Sequence, residues 1–271
     1  MRVVVYEFMS LDGVVQAPGG AEEDTDGGFA HGGWSMPYFD PEVMGPVIAN
    51  GMTNAAGLLF GRRTWQGMAA AWPDRAGDPY ADQMNAIRKY VASRTLTADD
   101  LTWENTTLLS PVDAVADVAA LRDQDGGDLV MWGSVSLVHA LLTAGLVDEL
   151  NLMIEPILLG GGKRIFPDDG TARPMQLVNS VTTATGVQVC TYHPAPEATE
   201  PAPETRSTPQ MSTSSPSPTR WANRRRASGR KPKASYGGSG IASSTTPADR
   251  CWSSTAARSR AWRCGPAHPW P

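Results

Sequence analysis

Apolar residues in the first two-thirds of the chain form short segments that alternate between strand-like and helix-like spacing. Short β-rich or fully apolar runs predict strands at residues 3–8, 57–60, 90–93 and 129–132. Helical spacing and start signals predict helices at residues 40–54, from residue 61 onward, and at 79–89, 111–122 and 134–144. In the helix at 111–122, one face carries Val112, Val115, Val118 and Ala119, which follow a helical period.

The pattern changes after residue 145, where strands are predicted at 149–154, 175–183 and 187–192 without an intervening helical segment. The earlier alternation predicts an α/β domain with a mainly parallel central sheet, because parallel neighbours need a crossover connection that is usually a helix. The last strands are predicted to extend one edge of this sheet in antiparallel orientation.

Charge and composition divide the chain near residue 195. Residues 1–195 carry 11 basic and 24 acidic residues, a net charge of −13, whereas residues 196–271 carry 12 basic and 4 acidic residues, a net charge of +8. The second segment contains no Leu, Val or Phe, so it cannot bury enough apolar surface to offset its ordering entropy. We predict one folded domain at 1–195 and a disordered, basic, low-complexity tail at 196–271.

Two interpretations of this tail remain open. Basic runs at residues 224–226 and 230–233, with Trp221 nearby, are loosely typical of a nucleic-acid-binding arm. Four Trp and two Cys scattered among Ser, Arg, Ala and Pro are more typical of an inert spacer or a frameshift product. The negative charge of the domain argues against a nucleic-acid partner, and we favour the inert tail.

Several classes of protein are disfavoured by missing sequence features. The chain has no run of about 18 apolar residues for a membrane helix and no signal peptide, so a cytoplasmic location is expected. Its Cys and His spacing predicts neither a disulfide scaffold nor a metal site. The nucleotide-binding, zinc-deaminase and hydrolase signatures GxxxxGK[ST], HxE…PCxxC and GxSxG are absent, and no GxGxxG follows the first strand.

Three junctions at the ends of predicted strands indicate anion binding. Free N–H groups at helix N-termini favour phosphate, arginine adds a bidentate fork, and glycine allows close approach of the backbone. The junction residues are, in chain order, Gly61, Arg62 and Thr64, then Ser93 and Arg94, then Gly133 and Ser134. Because the carboxyl ends of parallel strands meet at one sheet edge, the three junctions together predict a dinucleotide site.

The sequence resembles a known family at three places. Residues 61–65, Gly-Arg-Arg-Thr-Trp, resemble the GRxTW motif of dihydrofolate reductases. Residues 9–13, Met-Ser-Leu-Asp-Gly, and the run at 156–166 resemble the reductase domain of the bifunctional riboflavin deaminase-reductase. The resemblance covers about residues 1–193 and implies a three-layer α/β fold of the dihydrofolate-reductase type, with a mainly parallel central sheet and antiparallel C-terminal strands.

The resemblance also implies a cofactor and its contacts. NADPH would donate hydride, with Arg62 and Thr64 at its phosphates and Ser93 and Arg94 at the adenosine 2′-phosphate. Residues 133 and 134 would approach the pyrophosphate. Dihydrofolate reductases have a Gly-Gly cis peptide at this last junction, and the serine at position 134 argues against a cis bond here.

Two carboxylates are candidate catalytic groups, since hydride addition to a C=N or C=O group requires a proton. Asp12 is either a turn residue of the Leu-Asp-Gly segment or an acid facing the substrate. Glu155 is either an exposed charge at a strand end or a substrate contact and proton relay. We expect one of them to supply the proton and favour Asp12 slightly.

The long loop at residues 16–39 is rich in Gly and acidic residues and ends in a cluster of aromatic residues. Loops of this length in compact domains are usually functional or disordered. We interpret it as a lid over the nicotinamide and substrate pocket, the alternative being that its aromatic end fills part of the core.

The resulting hypothesis is an NADPH-dependent reductase that resembles the 5-amino-6-(5-phosphoribosylamino)uracil reductase of riboflavin biosynthesis. The alternatives are a reductase of the same fold acting on an unrelated small heterocycle or carbonyl compound, and a non-catalytic nucleotide-binding protein. A small-molecule substrate and a homodimer are expected, without a metal, a membrane or nucleic acid.

Overall fold

The computed structural model describes residues 1–75 and 77–196. The predicted tail at 196–271 therefore lies outside the described residues, except for its first residue. Eight strands form one sheet in the order β4-β3-β2-β5-β1-β6-β8-β7. The strands are β1 (Arg2–Ser10), β2 (Ala55–Gly61), β3 (Lys89–Ala92), β4 (Thr106–Leu108), β5 (Asp128–Trp132), β6 (Glu149–Glu155), β7 (Met175–Thr182) and β8 (Gln188–Pro194). The α-helices are α1 (Met44–Asn54), α2 (Arg62–Ala71), α3 (Pro79–Ala86), α4 (Ala114–Arg122) and α5 (Val135–Thr143).

The central strand of the sheet is β1, which pairs in parallel with both β5 and β6. The pairs β2–β5, β2–β3 and β3–β4 are also parallel. By contrast, β8 pairs antiparallel with both β6 and β7. The predicted mainly parallel α/β sheet with antiparallel C-terminal strands is confirmed.

Helices cover both faces of the sheet and give three layers. On one face, β1, β5 and β6 pack apolar side chains such as Val5 and Leu152 against α4 and α5. On the other face, Val4 and Phe60 pack with residues of α1, α2 and α3. Adjacent side chains of a strand point to opposite faces, so β1 contributes to both layers. No helix of the described ranges is long and apolar enough to span a membrane.

The predicted helix at 79–89 is too long, because it ends at Ala86 and Lys89 begins β3. Lys89 is fully buried, and its ammonium group donates to the backbone carbonyls of Asn85, Ile87 and Glu104 at 2.6, 3.0 and 3.0 Å. A lysine usually marks a solvated surface, so the sequence pattern did not indicate a strand at this position.

Two helices begin later than predicted. Asp40 does not start α1, which begins at Met44; instead its carboxylate accepts N–H bonds from Glu42 and Val43 in a preceding turn. Asp113 caps α4 through the backbone N–H of Ala116 at 3.0 Å. Val112 therefore precedes the helix and is 93% exposed, so its predicted place on one face of this helix is wrong.

The sequence pattern also missed β4, the strand that forms one edge of the sheet. It spans three residues, two of them Thr, and pairs with β3 in parallel. Such a short, polar segment carries no periodicity that distinguishes it from a loop.

Candidate active site

The β2–α2 and β5–α5 junctions are hydrogen-bonded to each other. The backbone N–H of Gly61 donates to the hydroxyl of Ser134 at 2.9 Å, and the backbone N–H of Ser134 donates to the hydroxyl of Thr64 at 3.0 Å. Because β2 and β5 are parallel neighbours, their carboxyl ends lie at the same sheet edge. The two helix N-termini that follow these strands therefore share one polar cluster.

The backbone of this cluster requires glycine at one position. Gly133 has φ +60°, and a Cβ atom there would lie 3.2 Å from the Thr64 hydroxyl oxygen. Ser134 also has φ +60°, a left-handed conformation that is uncommon for residues other than glycine. The bond between residues 133 and 134 is trans, as the serine at 134 led us to expect. The two left-handed residues turn the chain sharply into α5 beside Thr64.

The remaining predicted cofactor residues lie at neighbouring strand ends. Arg62 is the first residue of α2, and its guanidinium is 3.4 Å from the Gln66 side-chain oxygen. Ser93 follows Ala92, the last residue of β3, which pairs with Gly61 in the β2–β3 register. The Ser93 hydroxyl accepts hydrogen bonds from the backbone N–H groups of Thr95 and Leu96. Arg94 is exposed and forms no ion pair within the described ranges.

Asp12 holds two loops together. Its carboxylate accepts hydrogen bonds from the Ser10 hydroxyl at 2.6 Å and from the backbone N–H groups of Leu159 and Gly160 at 3.1 and 2.9 Å. Arg164 adds an ion pair at 3.4 Å. The Ser10 hydroxyl, followed by the backbone donors, lowers the pKa of Asp12 to about 2. The group is therefore ionised at neutral pH and fixes the glycine-rich turn to the end of β1.

Glu155 is fully buried, so the expectation of an exposed charge at a strand end is wrong for this residue. Its carboxyl oxygens accept the Ser35 hydroxyl at 2.7 Å and the backbone N–H of Met9 at 3.1 Å. Burial outweighs these bonds and raises the pKa of Glu155 to about 8. The group therefore holds its proton at neutral pH, in contrast to Asp12.

The loop at 16–39 combines features of both interpretations. Its Trp34 is buried in an apolar cluster with Phe8 and Met44 and donates its indole N–H to the backbone carbonyl of Gln16 at 2.8 Å. The aromatic end of the loop thus fills part of the core. Met36, two residues later, is 40% exposed.

The acidic part of the loop is held by cations. Asp24 and Asp26 pair with the Lys163 ammonium group at 2.6 and 3.1 Å, and Asp26 also pairs with Arg63 of α2. A cleft of about 440 Å³ lies between this part of the loop and the turn at 159–163, with Asp26, Phe29, His31 and Lys163 in its wall. These contacts place the loop beside the N-terminus of α2.

Sequence reasoning missed Glu7. This residue lies in the middle of β1 and is 3% exposed, although its neighbours along the strand are apolar. Burial, then the nearby Glu23, raise the pKa of Glu7 well above its usual value. A single charged residue inside an apolar strand was the signal that could have identified it.

Comparison with known proteins identifies the family. The profile of the RibD C-terminal domain matches residues 2–189. The uncharacterized protein YyaP of Bacillus subtilis strain 168 is 26% identical over 197 residues, which cover 71% of this chain and 94% of that protein.

Two solved structures are among those that match the chain. A protein from Shewanella sp. PV-4, named for riboflavin biosynthesis, matches with a TM-score of 0.54 and 21% identity and covers 72% of this chain and 100% of its own. The dihydrofolate reductase of Enterococcus faecalis, solved with NADP(H), matches with a TM-score of 0.46 and 18% identity over 71% of this chain and 96% of its own. At 21% identity, the similarity to the Shewanella protein shows that the two chains share a fold.

Proposed function

Because the chain belongs to the RibD C-terminal domain family, we propose that it is a reductase that uses NADPH to reduce a small polar heterocycle or carbonyl compound. The observation that carries the proposal is the hydrogen-bonded cluster of Gly61, Thr64 and Ser134, where two helix N-termini meet at one sheet edge. Bound there, NADPH supplies the hydride, and the protein supplies orientation and charge.

The residues of the cluster fit a dinucleotide phosphate. The N-terminal N–H groups of α2 and α5 point toward the same edge and favour an anion. The Thr64 hydroxyl oxygen accepts the Ser134 N–H, so its own proton is available to a phosphate oxygen. A side chain at position 133 would crowd Thr64 at 3.2 Å, and glycine keeps this approach open.

Two arginines support a preference for NADPH over NADH. Arg62 starts α2, and Arg94 follows the adjacent strand β3. Both therefore lie at the side of the cluster away from β1, where the adenosine end of the cofactor would extend. An exposed guanidinium group that is not paired with a protein carboxylate can form two hydrogen bonds to a phosphate, which suits it to the extra 2′-phosphate of NADPH.

We assign different roles to the two candidate acids. Glu155 keeps its proton at neutral pH and is the proposed proton donor, either directly or through the Ser35 hydroxyl that it binds at 2.7 Å. Asp12 is ionised and occupied by donors from the turn at 159–164, so it is proposed as a positioning residue. This assignment reverses the slight preference for Asp12 that the sequence suggested.

The first substrate to test is 5-amino-6-(5-phosphoribosylamino)uracil, which the family suggests. The experiment is a titration of the purified protein with NADPH and NADH, followed by NADPH oxidation with this compound and with pterins, pyrimidines and simple carbonyl compounds. Tight NADPH binding with turnover of any of them supports the reductase. Binding without turnover across the series favours a non-catalytic nucleotide-binding protein, and absence of binding refutes the proposal.

A further inference from the structure

The side chain of Glu7 lies beside the turn that leads into α5. Alternation along β1 places it on the same face as Val5 and Met9, which pack against α4 and α5. The β1–β5 register pairs Tyr6 with Trp132, so Glu7 is level with Gly133. Glu7 therefore lies level with the inner end of the proposed dinucleotide site, and β5 separates its strand from β2.

One oxygen of this carboxyl group has no partner. Glu7 Oε1 is buried and has no hydrogen-bond partner among the described residues. Buried polar atoms are nearly always hydrogen-bonded, and leaving one unpaired destabilises the fold. An apolar residue at this position would continue the pattern of β1, so the unpaired Oε1 has no evident structural purpose.

The surroundings of Glu7 favour the neutral acid. No ion pair joins it to a cation within the part of the chain that the structure describes. The carboxyl group that acts on Glu7 electrostatically is that of Glu23, which is held by the backbone N–H groups of Gly19 and Gly20 at 2.7 and 3.1 Å. Burial and Glu23 raise the pKa of Glu7, while the Gly133 backbone N–H, as a hydrogen-bond donor, lowers it by less. A neutral carboxyl group both donates and accepts a hydrogen bond.

We propose that Glu7 is a positioning residue that hydrogen-bonds the carboxamide of the nicotinamide ring. This inference rests on the proposed function, because it requires NADPH in the site. A carboxamide offers one acceptor and two N–H donors, which complement the O–H donor and carbonyl acceptor of a neutral acid. Pairing of the two groups would satisfy Oε1 and fix the rotation of the ring.

The test compares NADPH with its 3-acetylpyridine analogue, which keeps the ring carbonyl and lacks the amide N–H donors. The wild-type protein should bind NADPH more tightly than the analogue. Glu7→Leu should weaken NADPH binding about fivefold to tenfold and weaken binding of the analogue by less, because the analogue has only the carbonyl contact to lose. Glu7→Gln, which keeps a donor and an acceptor, should restore most of the preference.

A second readout separates this role from a structural one. Glu7→Leu removes the unpaired Oε1 and also the acceptor of the Gly133 N–H, so its melting temperature without cofactor should change little while its NADPH affinity falls. Affinity for adenosine 2′,5′-bisphosphate, which lacks the nicotinamide, should not change. Glu23→Gln serves as the matched control in the loop and should keep the preference for NADPH over the analogue.

The outcomes distinguish the two proposals. If the wild-type protein does not bind NADPH, the proposed function fails. If it binds NADPH and the analogue equally, or if Glu7→Leu weakens both equally, the role of Glu7 is wrong and the function stands. Should Glu7→Leu not fold, infrared difference spectra of wild type and Glu7→Gln decide: NADPH must shift a protonated-carboxyl band that Glu7→Gln lacks, and an unshifted band overturns the inference.

Discussion

The hydroxyl of Thr64 accepts the backbone N–H of Ser134 at 3.0 Å, across 70 residues of sequence. This bond joins the first turn of α2 to the left-handed turn before α5. It makes the two helix N-termini one structural unit, so a change at either junction is expected to disturb the other.

Thr64→Val should therefore reduce both stability and cofactor binding. The substitution keeps the shape and removes the acceptor, which leaves the Ser134 N–H unpaired at a cost of about 1–3 kcal/mol. Denaturant unfolding and NADPH titration measure the two effects. Thr64→Ser, which keeps the hydroxyl, should stay close to wild type in both. Loss of NADPH affinity without loss of stability would mean that the bond to Ser134 contributes little.

Arg94→Ala should weaken NADPH binding by about 1.5–3 kcal/mol, the range for a hydrogen bond to a charged group, and leave NADH binding unchanged. The comparison of the two cofactors by fluorescence titration isolates the 2′-phosphate. Arg88→Ala is the matched control, because Arg88 is also exposed and lies before β3, at the opposite end of that strand. Equal losses for both cofactors would contradict the assignment of Arg94.

Glu155→Gln should lower turnover by about 10²–10⁴, the usual contribution of a positioned acid, while NADPH affinity changes little. The wild-type rate should also fall as the pH rises through about 8, where Glu155 loses its proton. The pH profile of turnover tests both statements with any active substrate. Asp12→Asn should alter turnover less. Unchanged turnover in Glu155→Gln would mean that solvent provides the proton.

Asp12 should contribute to stability in a defined pH range. Its folded pKa of about 2 lies below the unfolded value of about 3.9, so its contribution is complete above pH 4 and is lost as the pH falls through 2. Denaturant unfolding at several pH values should show that, as the pH falls from 4 through 2, the free energy of unfolding decreases less steeply in Asp12→Asn than in the wild type. Asp74→Asn, at an exposed position, should keep the wild-type slope. The same decrease in the free energy of unfolding in wild type and Asp12→Asn over this pH range would contradict this prediction.

Removal of the tail should leave the domain intact. A chain that ends at Ala195 is expected to melt within a few degrees of the full chain and to keep NADPH binding, since residues 196–271 contain no Leu, Val or Phe to add to a core. Differential scanning calorimetry of the two chains measures the difference. A large drop in melting temperature would show that the tail packs on the domain.

The sequence predicted the sheet well where local pattern decides structure. Apolar runs gave β1, β2 and β5, and the absence of helical spacing after residue 145 gave the antiparallel strands. It failed where tertiary contacts override local preference. Lys89 is buried because three carbonyl oxygens from separate segments converge on it, and no local signal encodes that convergence.

The carboxylates show the same division. Position alone suggested Asp12 and Glu155, but their protonation depends on partners far along the chain. Asp12 meets donors near residue 160, and Glu155 meets Ser35 under an apolar cluster. Burial and hydrogen bonding set opposite pKa shifts in two acids that are equivalent in sequence terms.

The central position of β1 affects how the chain must fold during synthesis. This strand is translated before its two neighbours in the sheet, which are residues 128–132 and 149–155. Such long-range parallel pairing is slow to form, because the chain loses the entropy of closing a long loop before the contacts between the strands stabilise it. A nascent chain thus carries the apolar strand at residues 2–10 with both edges unpaired until residues 128–132 have been translated. An exposed apolar strand of this kind is the type of segment that chaperones protect from aggregation.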